Sequence, residues 1–197
     1  MTVSELGSTR PAAAHAPPQD ARAAGALRLA VGDVVVYASH GIGRVESKQA
    51  GRGQPGTLIL LFDSGLKVTL PIARAQAALR PLSGEPELEE VRRTLRLETP
   101  AAAEPWTRRH RRFQDKLAEG SASGLAEIVR DGIHRERRRV KGSPAPIANQ
   151  LYQKARKLLV AEIAAARDVE PEVADSWISG QIGNERTGAD TPNTGGA

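Results

Sequence analysis

The sequence predicts an α+β chain of two units, a small antiparallel β-barrel of four or five strands followed by an all-α helical bundle. Three observations carry this. Short β-branched runs separated by Gly-containing turns fill residues 29–71, apolar residues recur at helical spacing from Glu85 onward, and the period changes near Pro81 to Glu85. A chain of 197 residues suits two small domains, and with aromatic residues at 3% the cores must be built from Val, Leu, Ile and Ala.

Residues 1–26, "MTVSELGSTRPAAAHAPPQDARAAG" and onward, hold too little periodic apolar content to offset the entropy of ordering and are expected to be disordered. The β unit spans 27–83. "LAVGDVVVYA" supplies a β-branched run at Val34 to Val36, and "HGIGRVESKQ" continues after a turn with alternating Ile42, Arg44, Glu46 and Lys48. "AGRGQPG" is a loop. "TLILLF" and "LKVTLPI" form a hairpin closed by Asp63, Ser64 and Gly65, turn chemistry in which Gly supplies positive φ. Val35, Tyr37, Ile59, Leu61, Val68 and Leu70 are expected to fill the interior, and Pro71 to end the ladder.

The helical unit is placed at 85–180. "EPELEEVRRTLRL" sets Leu88, Val91 and Leu95 on one face, with acids early and arginines late as the helix dipole favours. "ETPAAAEP" breaks it, and a second helix starts around Pro105, preorganised for a first helical turn. A third helix, "SGLAEIVRDGIHRERRRV", turns Leu125, Ile128, Val129 and Ile133 inward. In the fourth, "IANQLYQKARKLLVAEIAAAR", the inward band is Leu151, Ala155, Leu158, Leu159, Glu162, Ile163 and Ala166. A short fifth, "PEVADSWIS", is expected to pack Val173 and Trp177 onto the bundle, and 181–197 to be a disordered tail.

Charge is unevenly spread. The formal net charge is +5 and the pI near 10.0, with fourteen Lys and Arg against six acids from Glu104 to Lys157, and one Arg against six acids from Asp168 onward. The middle of the chain therefore suits a polyanion. Zero cysteines exclude disulfides and thiolate chemistry and fit a reducing compartment, and no apolar run reaches the length of a membrane span. His15, His40, His110 and His134 are scattered with no nucleophile or metal set around them, and "GRGQPG" lacks the lysine of a phosphate loop. No enzyme, cofactor or metal site is expected.

"EPWTRRHRRFQDKL" holds the most informative residues. Trp106, His110, Phe113 and Leu117 share one stripe, which admits two readings: the top of a core seam, or an indole carried outward among Arg108, Arg109, Arg111 and Arg112 toward a nucleic-acid duplex.

"VGDVVVYASHGIGRVE", the hairpin ending in "LKVTLP", then "PWTRRHRRFQDKLAEGSASGLAEIVRDGIHRER" and "QKARKLLVAEIA" together resemble the CarD (CdnL-like) family of bacterial transcription regulators, from roughly Leu29 to Ile178. The first block alone is shared with the helicase that couples transcription to repair, but no GxxxxGK[ST] loop is present here. The resemblance implies a Tudor-like barrel that docks on the RNA polymerase β subunit by pairing sheet edges. It also implies a helical domain whose tryptophan meets the minor groove of promoter DNA at the upstream edge of the transcription bubble. On this sequence the tryptophan is Trp106, with Arg108 and Arg109 as nearest phosphate partners and Arg111, Arg112 and Lys116 as additional ones. Thr69 lies where some members present a basic side chain to polymerase, so Arg44, Arg52 or Lys67 is expected to substitute. A cytoplasmic, nucleoid-associated monomer without sequence-specific readout is implied. The alternative is a polymerase-independent nucleic-acid reader with an OB- or Tudor-like barrel, against which stands the scarcity of barrel aromatics, Tyr37 and Phe62. Gly132 departs from the expected pattern, since an apolar residue belongs at that point of a helix and Gly costs about 1 kcal/mol relative to Ala.

Overall fold

Strand polarity and turn chemistry produce one antiparallel sheet in the computed structural model, which describes residues 28–38, 40–49, 51, 55–98, 105–138 and 148–183. The strands are β1 (Val34–Tyr37), β2 (Gly41–Gln49), β3 (Thr57–Phe62), β4 (Lys67–Pro71) and β5 (Leu79–Pro81), in the order β4-β3-β2-β1-β5. A helix, α1 (Ile72–Ala78), joins β4 to β5 and packs on β3, β4 and β5. The unit is Tudor-like. Its head and the 181–197 tail from residue 184 on lie outside the described residues.

Two features of the sheet differ from expectation. Pro71 ends β4, but the chain then turns through α1 and returns as β5 beside β1, with Val36 opposite Arg80. Pro81 is tolerated there because β5 is an edge strand. The inward face of β3 is also the reverse of the one expected: Leu58, Leu60 and Phe62 are buried, while Ile59 and Leu61 are half-exposed. "LILLF" is apolar on both faces, so alternation cannot choose between them; the hairpin register does. Phe62 N–H donates to the Leu66 carbonyl at 3.0 Å across the Asp63-Ser64-Gly65 loop, which puts Leu60 opposite Val68 and Leu58 opposite Leu70. Val35 and Leu70 are buried as expected, with Tyr37 and Val68 packed against them. Glu46 is the extra residue of a bulge, since Val45 pairs with Leu60 and Ser47 with Ile59.

The bundle comprises α2 (Glu85–Arg96), α3 (Trp106–Glu119), α4 (Ala122–Arg138), α5 (Ala148–Arg167) and α6 (Pro171–Gly183). Leu88, Val91 and Leu95 of α2, Leu125, Ile128 and Val129 of α4, and Ala155, Leu159 and Ile163 of α5 form one core, with Ile133, Leu151, Leu158 and Ala166 packed against it. Glu87 accepts from the Gly84 N–H at 3.1 Å, capping the start of α2. In α6 the expected register is one residue out. Val173 is 55% exposed, and Ala174, Ile178 and Ile182 form the buried seam. Trp177 flanks that seam beneath the Arg167 guanidinium, 4.4 Å from its ring centre. Because Ile182 belongs to the core, the helix continues past Gly180 to Gly183.

Gly132 is explained by α5. A Cβ at that position would lie 2.2 Å from Cδ2 of Tyr152, so the tyrosine ring occupies the space a side chain would take. The Tyr152 hydroxyl accepts from Arg156 Nη1 at 2.6 Å, and Arg156 donates on to Asp175 at 2.7 and 2.8 Å and to Ser179 at 3.0 Å. This chain of contacts ties α4, α5 and α6 together. Hydrogen bonding from Arg156 holds the Asp175 carboxyl below its ordinary value against the opposing effect of burial.

The two units meet where α5 packs on β2, with Leu158 against Gly41, and through a set of polar contacts centred on Arg80. Arg80 of β5 donates from Nη1 and Nη2 to the Glu162 carboxylate of α5 at 2.5 and 2.7 Å, and from Nε and Nη2 to the Gly120 carbonyl at 3.1 and 2.7 Å. Ser83 Oγ donates to Glu162 at 2.6 Å. Gly120 ends α3 at φ 68°, and a Cβ there would sit 2.4 Å from Cβ of Ala38, so the helix end abuts the β1–β2 turn.

Two outcomes follow from this packing. Gly132→Ala is expected to lower the denaturation midpoint, because overpacking costs about 1–3 kcal/mol against a helix-propensity gain of about 1 kcal/mol; a midpoint at or above wild type would show that the ring steps aside. Asp175→Asn is expected to weaken the protein at pH 7. Since the folded carboxyl titrates below its unfolded value of about 3.9, that difference should persist above this pH and vanish as pH falls through the folded value. Urea titrations of both proteins between acid and neutral pH check it, and a pH-independent difference would refute it.

Candidate nucleic-acid interface

The stripe on α3 divides in two. Phe113 and Leu117 are buried at 5% and 8%, anchoring the middle and C-terminal half against the core. Trp106, the first helical residue after Pro105, is 45% exposed. Its ring stacks on His110, with centres 4.9 Å apart and planes 20° from parallel. The imidazole Nδ1 is buried and accepts or donates no hydrogen bond among the described residues. His110 thus serves as a platform between the core below and the indole above. The four-three-four spacing fixes a shared face, and burial along it stops one turn short of the N-terminus.

Cations surround this turn. Arg108, Arg111 and Arg112 are exposed and Arg109 is half-buried. Arg109 follows Trp106 by three residues and so lies beside it on the helix surface. The Arg112 guanidinium carbon sits 5.4 Å from the Phe113 ring centre, near the aromatic face. Lys116 is drawn inward: its Nζ donates to Glu127 of α4 at 2.9 Å.

The second candidate surface is the outer edge of the sheet. Ladder phase follows from two bonds, Phe62 N–H to the Leu66 carbonyl and Ile72 N–H to the Gly56 carbonyl at 2.8 Å. Alternation then turns the N–H groups of Lys67 and Thr69 away from β3, on a strand with no neighbour on that side among the described residues. Thr69 is exposed. Lys67 donates to Glu46 at 2.6 Å and Arg44 to the Gly32 carbonyl at 2.9 Å, so both cations lie on the sheet's outer face with partners of their own. Arg52 lies outside the described residues. Tyr37 stacks on His40 at 5.0 Å and Phe62 is 4% exposed, so these ring faces are engaged within the protein.

Sequence reasoning put Glu162 in the inward band of α5 but did not pair it. A carboxylate among Leu159, Ile163 and Ala166 demands a cation, and Arg80 is that partner. The pairing itself is set by the packing of β5 on the bundle.

Among the described residues no group of three or more His, Asp or Glu side chains could hold a metal ion, and no helix is long and apolar enough to cross a membrane. A Tudor-like sheet with an open edge, joined to a bundle that exposes an indole among arginines, matches two family models. Residues 29–83 match the CarD-like/TRCF RID domain and residues 90–179 the CarD C-terminal domain. These define an RNA polymerase-interacting transcription regulator. The chain belongs to the CarD family.

The ladder phase makes a direct expectation. Thr69→Pro removes an outward N–H and is expected to leave the sheet folded, whereas Val68→Pro removes an inward one and is expected to unfold it. Circular dichroism with thermal melts distinguishes them, and equal damage by both would mean the edge is not oriented as described.

Proposed function

We propose that this protein docks on the RNA polymerase β subunit through the open edge of β4 and stabilises the promoter open complex by placing Trp106 in the minor groove at the upstream end of the bubble. The exposure of Trp106 at 45%, on a helix dense in arginine, is the observation that carries the reading. An indole partly exposed to water beside cations is suited to a base step flanked by phosphates. Arg108, Arg109, Arg111 and Arg112 supply counterion-releasing contacts that read no sequence. Lys116 contributes less, being held by Glu127.

No bond chemistry is involved. Binding the melted promoter better than the closed one shifts the equilibrium, with each 1.4 kcal/mol of preference worth about tenfold. Promoter selectivity comes from tethering: docking on polymerase raises the local concentration of the indole wherever DNA is being opened. One copy per polymerase suffices, and its place in the cell is wherever polymerase meets the nucleoid. A polymerase-independent nucleic-acid reader fits less well, because the sheet aromatics are used internally and offer no stacking platform.

Promoter-melting kinetics with purified polymerase test this. Trp106→Ala is expected to leave polymerase binding intact and to shorten the heparin-challenged open-complex lifetime roughly 5- to 150-fold, matching about 1–3 kcal/mol of lost aromatic contact. Thr69→Pro is expected to abolish polymerase capture while leaving the fold unchanged. Unaltered lifetimes with Trp106→Ala, together with lost thermal stability, would return the indole to a structural role.

A further inference from the structure

We propose that the Arg80–Glu162 pair is a positioning device that sets the orientation of α3 against the sheet, and thereby aims Trp106. This rests on the functional reading above. The Glu162 side chain is 1% exposed and Arg80 30%, and the guanidinium faces two elements at once. It forms two bonds to the α5 carboxylate and two to the Gly120 carbonyl at the end of α3. Its own strand is fixed to β1 by the pairing of Val36 with Arg80. Sheet, α5 and α3 are therefore referenced to a single planar group.

The chemistry suits orientation better than stability. Apolar contact is non-directional, whereas a guanidinium–carboxylate fork constrains angles as well as distance. Buried ion pairs can often be replaced by apolar residues at little or no net cost, so their retention calls for another reason. The cation also complements the negative end of the α3 dipole. Leverage makes the angle matter. A helix of fourteen residues is about 20 Å long, so a tilt of about 10° at Gly120 displaces Trp106 by about 3–4 Å, more than half the roughly 6 Å width of a minor groove. Phe113 and Leu117 seat α3 on the bundle, steric contact between Gly120 and Ala38 blocks one direction of tilt, and the Arg80 fork adds an angular restraint at the helix end.

The chain contains no cysteine, so Asp63→Cys and Gln114→Cys, both at exposed positions, give a unique spin-label pair reporting the sheet-to-α3 distance in the full chain. The double variant Arg80→Met/Glu162→Met removes the fork without stranding a charge, and Arg80→Lys keeps the charge but loses the planar geometry. Both are expected to broaden the distance distribution relative to wild type, and to shorten open-complex lifetime roughly 5- to 150-fold with polymerase binding unchanged. A wild-type distribution in a folded double variant overturns the proposal; if that variant fails to fold, the same result with Arg80→Lys does so. A broadened distribution with unchanged promoter lifetime upholds the positioning role and refutes the promoter reading of Trp106 instead.

Discussion

One ion pair, its carboxylate buried and its guanidinium at the edge, links three elements of the architecture. Arg80 comes from the last strand of the sheet and Glu162 from the C-terminal half of α5, and the guanidinium also bonds the end of α3 through the Gly120 carbonyl. Each unit has its own apolar core, Leu58, Leu60 and Phe62 in one and Val91, Ile128, Leu159 and Ile163 in the other. The two cores are separate clusters, and α5 packs on β2 between them, with Leu158 against Gly41; such apolar contact is non-directional. The polar joint, with Ser83 completing the carboxylate's bonds and Gly120 pressed on Ala38, supplies the missing constraint.

From that joint α3 extends outward, and its chemistry changes along its length. Leu117 and Phe113 belong to the bundle, His110 is half-buried, and Trp106 stands in solvent on top of the imidazole. Arginines occupy the positions around it, while the lysine nearer the joint is taken up by Glu127. The arm thus has an apolar tip and a cationic collar. The sheet's open edge at β4 is a separate surface with separate chemistry, backbone N–H and carbonyl groups in a row. The two units thus carry two separate surfaces, with the Arg80–Glu162 contacts between them.

Much of this was legible in the residues. Helical spacing identified Leu88, Val91 and Leu95 and the α5 band, and the glycine-rich turns marked four of the strands. What periodicity could not settle were places where both faces are apolar or where a short segment depends on its partner. "LILLF" reads the same either way until hairpin register chooses Leu58, Leu60 and Phe62. "LRP" at Leu79–Pro81 is a strand only because β1 lies beside it. In α6, a seam of Ala174, Ile178 and Ile182 displaced the more conspicuous Val173. Gly132 was flagged by its poor helix propensity, and its explanation, the ring of Tyr152, lies twenty residues away.

Sequence by itself determined the two-unit division, the helical and strand periods, the basic middle and acidic end, and the stripe that joins Trp106 to Leu117, because all of these depend on local spacing and composition. Tertiary structure alone decided how far burial climbs that stripe, which cation neutralises Glu162, and which edge of the sheet stays open. Those outcomes depend on distances between residues far apart in the chain, and no local pattern encodes where a helix face runs out of neighbours.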